Sequence, residues 1–290
     1  MAQVKTYPQP DVVIRAEATV GEGPVWDQRS GRLCWVDIDN GILYENDLGT
    51  GDQRISRVGM MLGAVAPRAI EPGFAAAVKD GFGLIVDGKL SLVDPMLRGT
   101  EHRMNDAKCD SLGRFWAGST QMEFEKRAGA LYRWDGHGRS AEMAKGFTLP
   151  NGMGWNAEDT VMYLADSMTK QLLRASYSRE EGLIGEFREI VSITKGLPDG
   201  LAVDVDGCIW VAIWGGYEVH RYTGQGELIG RISLPVEKPS SCAFSGTGTL
   251  YITSASVGID DIDRAKQPLA GSVFALSTDT VGVPIEPFAG

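Results

Sequence analysis

The chain has 290 residues, 43% of them hydrophobic, and a formal net charge of -10. Nucleic-acid grooves and anionic membrane surfaces need clustered Lys and Arg to displace counterions, so this balance excludes both and favours a cation or a neutral solute as partner. The start MAQVKTYPQPDVV has no basic stretch leading into an apolar one, and no run of about 18 apolar residues occurs, so a cytoplasmic protein is expected.

In chain order, a first strand is expected over about residues 11–18, in VVIRAEA from Val12. Then a unit recurs: a polar turn, a Gly, and a strand of aromatic and β-branched residues. Its copies are DQRSGRLCWVD from Asp27, a weaker EPGFAAAVKDG from Glu71, DSLGRFWAGS from Asp110, NAEDTVMYLADS from Asn156, DVDGCIWVAI from Asp204 and SGTGTLYITSA from Ser245. Each is followed by a second, alternating strand: GILYENDL, GKLSLVDP, GALYRWDG, KQLLRASY, YEVHRYTG and GSVFALST in turn. The copies begin 39 to 48 residues apart, the period of four-stranded blades, so an all-β, six-bladed propeller is expected. Polar turns before apolar strands also occur in β-sandwiches, but regular spacing along nearly the whole chain favours the propeller. DDIDRAKQPLAG can form one helical turn before Pro268 and Gly271 stop it. With no linker rich in Pro, Gly or Ser, residues 1–290 read as one domain, closed by the first strand joining the last blade.

Cys34, Cys109, Cys208 and Cys242 are far apart in sequence and sit in or near apolar runs, which predicts buried free thiols rather than a zinc site or a disulfide framework. His102, His137 and His220 are scattered, and none lies beside a nucleophile motif.

Equivalent positions in radially repeated blades lie at equal distances from the axis. Stepping back five residues from each turn anchor reaches Glu22, Ala66, Asn105, Asn151, Asp199 and Ser240. Four of these carry a carboxylate or a carboxamide, and all are oxygen donors, the chemistry preferred by hard cations. Calcium is the first expectation, with Zn²⁺, Mn²⁺, Mg²⁺ or Fe²⁺ as alternatives. Taken singly, LPNG at 149–152 and LPDG at 197–200 would be ordinary turns; in register with Glu22 and Asn105 they become members of one ring. Trp26 and Trp155 occupy matching blade positions and are expected in the core, whereas Trp214 is a candidate apolar platform.

These motifs resemble the senescence marker protein/gluconolactonase (regucalcin-like) family, in its bacterial sugar-lactonase branch. The resemblance rests on VGEGPVW, RMNDAKCDSLGRFWAG, LPNGMGW, LPDGLAVDVDGCIWVAIWGG and KPSSCAF, in that order along nearly the whole chain. It implies a propeller holding one divalent cation through Glu22, Asn151 and Asp199, with Asp199 also the general base or water-orienting group. It further implies substrate contacts from Arg103 and Asn105, and from Glu123 in STQMEFE at the lid position, with Gln121 and Glu125 as neighbouring candidates. Asp106 is expected in a structural hydrogen bond. Ser240 and Ser241 depart from the family's phrase in the sixth blade, which bears on the substrate more than on the metal. The activity implied is hydrolysis of a small-molecule sugar lactone; the rivals are phosphotriester hydrolysis on the same scaffold and a non-catalytic calcium-binding propeller. The sequence leaves the particular sugar and the oligomeric state open.

Overall fold

The computed structural model describes residues 4–290, and they form six antiparallel sheets arranged as the blades of a propeller. The innermost strands are Gly21–Asp27, Leu62–Pro67, His102–Cys109, Pro150–Trp155, Leu197–Val203 and Pro239–Phe244. Successive blades pack face to face, and small and large apolar residues interlock between them: Ala64, Ala66, Ala75 and Ala77 meet Met104, Phe115 and Ala117 between blades two and three. The short strands and frequent turns of the sequence thus bury one apolar layer per blade junction.

The repeated polar turn has a structural cause in blades three and five. Asp110 takes backbone N–H groups from Leu112 and Arg114, at 3.0 and 3.1 Å, and the Trp116 indole N–H at 2.8 Å. Asp204 does the same with Asp206, Cys208 and Trp210, at 3.0, 2.9 and 2.8 Å, and Arg221 adds an ion pair at 2.6 Å. A buried carboxylate with several donors is tolerated where an unpaired one would be costly. The turn therefore fixes the Trp that packs the next blade junction.

Strand Asp11–Ile14 pairs antiparallel with Val273–Ser277 and forms the outer edge of blade six, while Lys5–Thr6 adds a parallel strand to blade five. The first of these strands ends at Ile14, short of the expected residue 18. GKLSLVDP is the fourth strand of its blade, Lys89–Asp94, because Gly81–Val86 supplies the third. The helical turn is the helix Asp261–Lys266, capped by the Asp260 side chain and followed by Pro268. All four cysteines are buried and unpaired. Among the described residues no helix is long and apolar enough to cross a membrane.

The last residues return under the propeller. Gly282 bridges Asp204 of blade five, and Phe288 bridges Arg68 of blade two, so the segment between them crosses the end of the channel at which the innermost strands finish. Phe288 is buried, stacked on Trp134 at 4.9 Å and edge-on to Phe115. A cavity of about 260 Å³ lies above this segment, lined in part by Asp106, Lys108, Ser241 and Glu286.

Candidate functional site

Every innermost strand carries a register irregularity near its start: between Glu22 and Val25, Met104 and Ala107, Pro150 and Met153, Pro198 and Leu201, Leu62 and Ala64, and Pro239 and Ser241. In a regular strand, side chains alternate between the two neighbouring blades. A bulge breaks that alternation and re-aims a side chain, here toward the axis. Glu22, Asn105, Asn151 and Asp199 all fall within these bulges and are all buried, at 4 to 6% exposure.

One ring position is corrected. Ala66 pairs with Ala75 on the second strand of its blade, as Val25 pairs with Cys34, which puts Ala66 three residues past the axial position and in the core between blades two and three. The axial residue of blade two is Gly63. A Cβ there would lie 2.0 Å from the Asn105 carbonyl oxygen, so blade two offers the ring no side chain. The anchor at Glu71 misled because the turn in blade two is longer than in the others. Ser240 is axial but turns away: its hydroxyl donates to the Gly21 carbonyl and meets Thr253 Oγ1 at 3.0 Å.

At the end of the channel where the innermost strands begin, a pocket of about 330 Å³ contains Glu22, Arg103, Asn105, Asn151, Asp199 and Trp214. Gly152, which follows Asn151, permits a close approach between the inner strands of blades four and five. A Cβ on Gly152 would stand 2.3 Å from Leu201 N, and without one Asn151 meets Asp199 directly, its Nδ2 donating to Asp199 Oδ1. The same Nδ2 donates to Ser167 Oγ at 3.1 Å. The Asp199 contact fixes the amide's orientation, because an ionised carboxylate can only accept. Asn151 Oδ1 is therefore left buried with no partner among the described residues.

Glu22 Oε2 accepts the Gly23 N–H at 2.7 Å. Burial first, then the negative charges of Asp199 and Asp106, push the Glu22 carboxyl well above its ordinary range. Asp199 is pushed up by burial and then by Asp106, against the lowering effect of the Asn151 hydrogen bond. Two crowded carboxylates beside an unpartnered amide oxygen make up a donor set that suits a hard divalent cation, whose charge would relieve the repulsion and whose coordination would use the orphaned oxygen. Among the described residues, no group of three or more His, Cys, Asp or Glu side chains is gathered to hold a metal; here the third donor is an amide.

Arg103 stands beside this floor at 9% exposure. One of its nitrogens, Nη1, donates to the Met104 carbonyl at 3.1 Å and to Asn105 Oδ1 at 2.7 Å, and Asn105 Nδ2 donates to the Pro150 carbonyl at 3.1 Å. Asn105 thus clamps the guanidinium while itself lining the pocket. Asp106 accepts the Ala107 N–H at 2.8 Å, and Lys108 reaches across the channel to donate to the Leu201 carbonyl at 2.6 Å.

Glu123 is on the exposed loop after Gln121 and does not line the pocket; its neighbour Phe124 does, in a left-handed backbone conformation at φ 58°. Trp214 lines the pocket, whereas Trp26 stacks on Tyr251 at 5.6 Å and Trp155 packs edge-on to Trp116 at 6.0 Å, both toward the other end. Sequence reasoning missed Asp39, Ser167, Met168 and Val257, which loops bring in from blades one, four and six. Of these, Ser167 left a signal, since it ends the repeated unit next to Asn151.

Residues 20–256 match the family described as SMP-30/Gluconolactonase/LRE-like region. The chain belongs to this family. Its relatives include YvrE of Bacillus subtilis (strain 168), provisionally named a sugar lactone lactonase, 36% identical over 97% of this chain and 99% of that protein. A 6-deoxy-6-sulfogluconolactonase of Pseudomonas putida is 33% identical, covering 96% and 98% of the two chains. The solved structure of regucalcin, a calcium-binding protein from Agrobacterium tumefaciens str. C58, superposes with a TM-score of 0.92 at 27% identity, over 99% of this chain and all of that one. Family members named as lactonases are carboxylic-ester hydrolases.

Proposed function

We propose that this protein is a divalent-cation-dependent hydrolase that opens a small sugar lactone, an aldono-1,4- or 1,5-lactone, to its aldonic acid. The observation that carries this reading is the convergence of Glu22, Asn151 and Asp199 on one buried floor beside Arg103, with Asn151 Oδ1 unpartnered among the described residues. Calcium is the first choice of cation, in keeping with the hard oxygen donors and with the calcium-binding relative.

Glu22, Asn151 and Asp199 would hold the divalent cation, which when bound would supply Lewis-acid polarisation of the lactone carbonyl. Asp199 takes the proton of the attacking water as its oxygen bonds to the carbonyl carbon. When the ring C–O bond breaks, the same proton passes to the departing ring oxygen, giving a hydroxy acid. The Asn151 amide holds the Asp199 carboxylate in one orientation, so little reorganisation is needed at the moment of transfer. Arg103, fixed by Met104 O and Asn105 Oδ1, turns its remaining N–H donors to substrate oxygens, and Asn105 acts through it. Glu123 is the lid-side candidate for a hydroxyl contact, on the loop that also carries Phe124. Trp214 offers an apolar wall that favours the C–H face of a sugar over water.

The test is a pH-stat screen of aldonolactones against cation-stripped protein reloaded separately with Ca²⁺, Mn²⁺, Zn²⁺, Mg²⁺ and Fe²⁺. Lactone turnover that appears on reloading is expected. A cation-induced rise in melting temperature with no lactone opened at any loading would establish the non-catalytic reading instead. Faster turnover of an organophosphate than of every lactone would favour phosphotriester hydrolysis.

A further inference from the structure

Phe124, Met168, Trp214 and Val257 give the pocket apolar lining, and Asp39 and Arg103 are its charged lining groups besides Glu22 and Asp199. Asp39 sits in the turn after strand Arg32–Asp37, and that turn is held on both sides of it. The Ile38 N–H donates to Val20 O at 3.0 Å, the Gly41 N–H to Ile38 O at 3.2 Å, and Asn40 Nδ2 to Thr19 Oγ1 at 2.8 Å and Asp37 Oδ2 at 2.9 Å. Asp37 in turn accepts the N–H groups of Thr19 and Val20, at 2.9 and 3.2 Å. Every polar side chain of the turn is thus occupied except the Asp39 carboxylate, which accepts no hydrogen bond among the described residues; it lies within the field of Arg103 without forming an ion pair with it.

A carboxylate on a fixed turn, open to the pocket and spaced from a clamped guanidinium, is suited to accept hydrogen bonds from neighbouring hydroxyls of one substrate. It is equally suited to repel a substrate that ends in an anion, because like charges brought together at a partly desolvated rim oppose binding. We propose that Asp39 is a specificity-determining residue that accepts hydroxyls from the arm of an uncharged polyhydroxy lactone and disfavours lactones whose arm carries a carboxylate, phosphate or sulfonate. The inference rests on the lactonase reading above and names the substrate class for that site.

The experiment compares kcat/KM for glucono-1,4-lactone and glucaro-1,4-lactone, which share a ring and differ in a hydroxymethyl or a carboxylate at the end of the arm. Wild-type protein is expected to prefer the uncharged lactone. Asp39→Asn should shift the preference toward the charged one by about tenfold, a difference of about 1.4 kcal/mol. The shift should come mainly through KM and shrink at high ionic strength. Asp39→Lys should carry it further, to a preference for the charged lactone. Equal use of both lactones by the wild type, or a preference ratio that Asp39→Asn and Asp39→Lys leave unchanged, overturns the inference while leaving the lactonase reading standing. Turnover of neither lactone, nor of any other in the screen, overturns both.

Discussion

Replacing Asp199 by Asn keeps the shape of the side chain and its hydrogen bond, since the new amide oxygen accepts the Asn151 N–H as the carboxylate does. What changes is one buried negative charge beside Glu22 and Asp106. Without cation, both Glu22 and Asp199 have carboxyls raised above their unfolded values by burial and by neighbouring charge. In the interval between unfolded and folded values, the native state binds more protons than the unfolded one, so stability falls as pH rises through it. The stabilising contribution is complete below the ordinary carboxylate range and is lost toward neutral pH. Asp199→Asn removes one of the two groups, so the cation-free variant should melt above the cation-free wild type at pH 7, with a shallower decline from pH 5 upward. Like charges a few ångströms apart at an effective dielectric near 20 repel by roughly 1 to 4 kcal/mol. For a chain of this size that is roughly 2 to 4 °C of melting temperature per kcal/mol. With saturating cation the order should reverse, because the variant has lost a charged ligand. Turnover should fall by about 10² to 10⁴, the usual scale for losing a positioned proton acceptor. Calorimetry from pH 5 to 8 with and without cation, paired with lactone kinetics, reads all of this. A variant that melts with the wild type in the absence of cation and hydrolyses lactone at the wild-type rate would refute the reasoning.

Arg103→Lys keeps a positive charge but loses the planar fork clamped by Met104 O and Asn105 Oδ1, so kcat/KM for lactones should drop by about 10- to 100-fold; steady-state kinetics beside a circular-dichroism check of folding measures it. Phe288→Ala empties a buried site against Trp134 and Phe115 and should cost about 3 to 5 kcal/mol by denaturant titration, the range for truncating a core aromatic. If that cost is below about 1 kcal/mol, the final segment is not fastened by its aromatic.

The blade count, the Asp turns at 110 and 204 and the axial positions of Glu22, Asn105, Asn151 and Asp199 were all legible in the sequence. Each belongs to a local unit, a turn with its strand, and local units recur at a fixed period whatever their neighbours do. Blade two is the exception. Its longer turn shifted the count, and only the pairing of Ala66 with Ala75 revealed Gly63 as the axial residue. What the sequence could not hold was the pocket wall. Asp39, Ser167, Met168 and Val257 come from loops far apart along the chain, and nothing in any one loop records which others it will face. That Phe124 rather than Glu123 reaches the pocket is likewise a property of the folded loop, in which Phe124 and Arg127 are both left-handed. Periodicity determined the ring of oxygens; closing the six blades decided which side chains surround it, because that distance is crossed through space and not along the backbone.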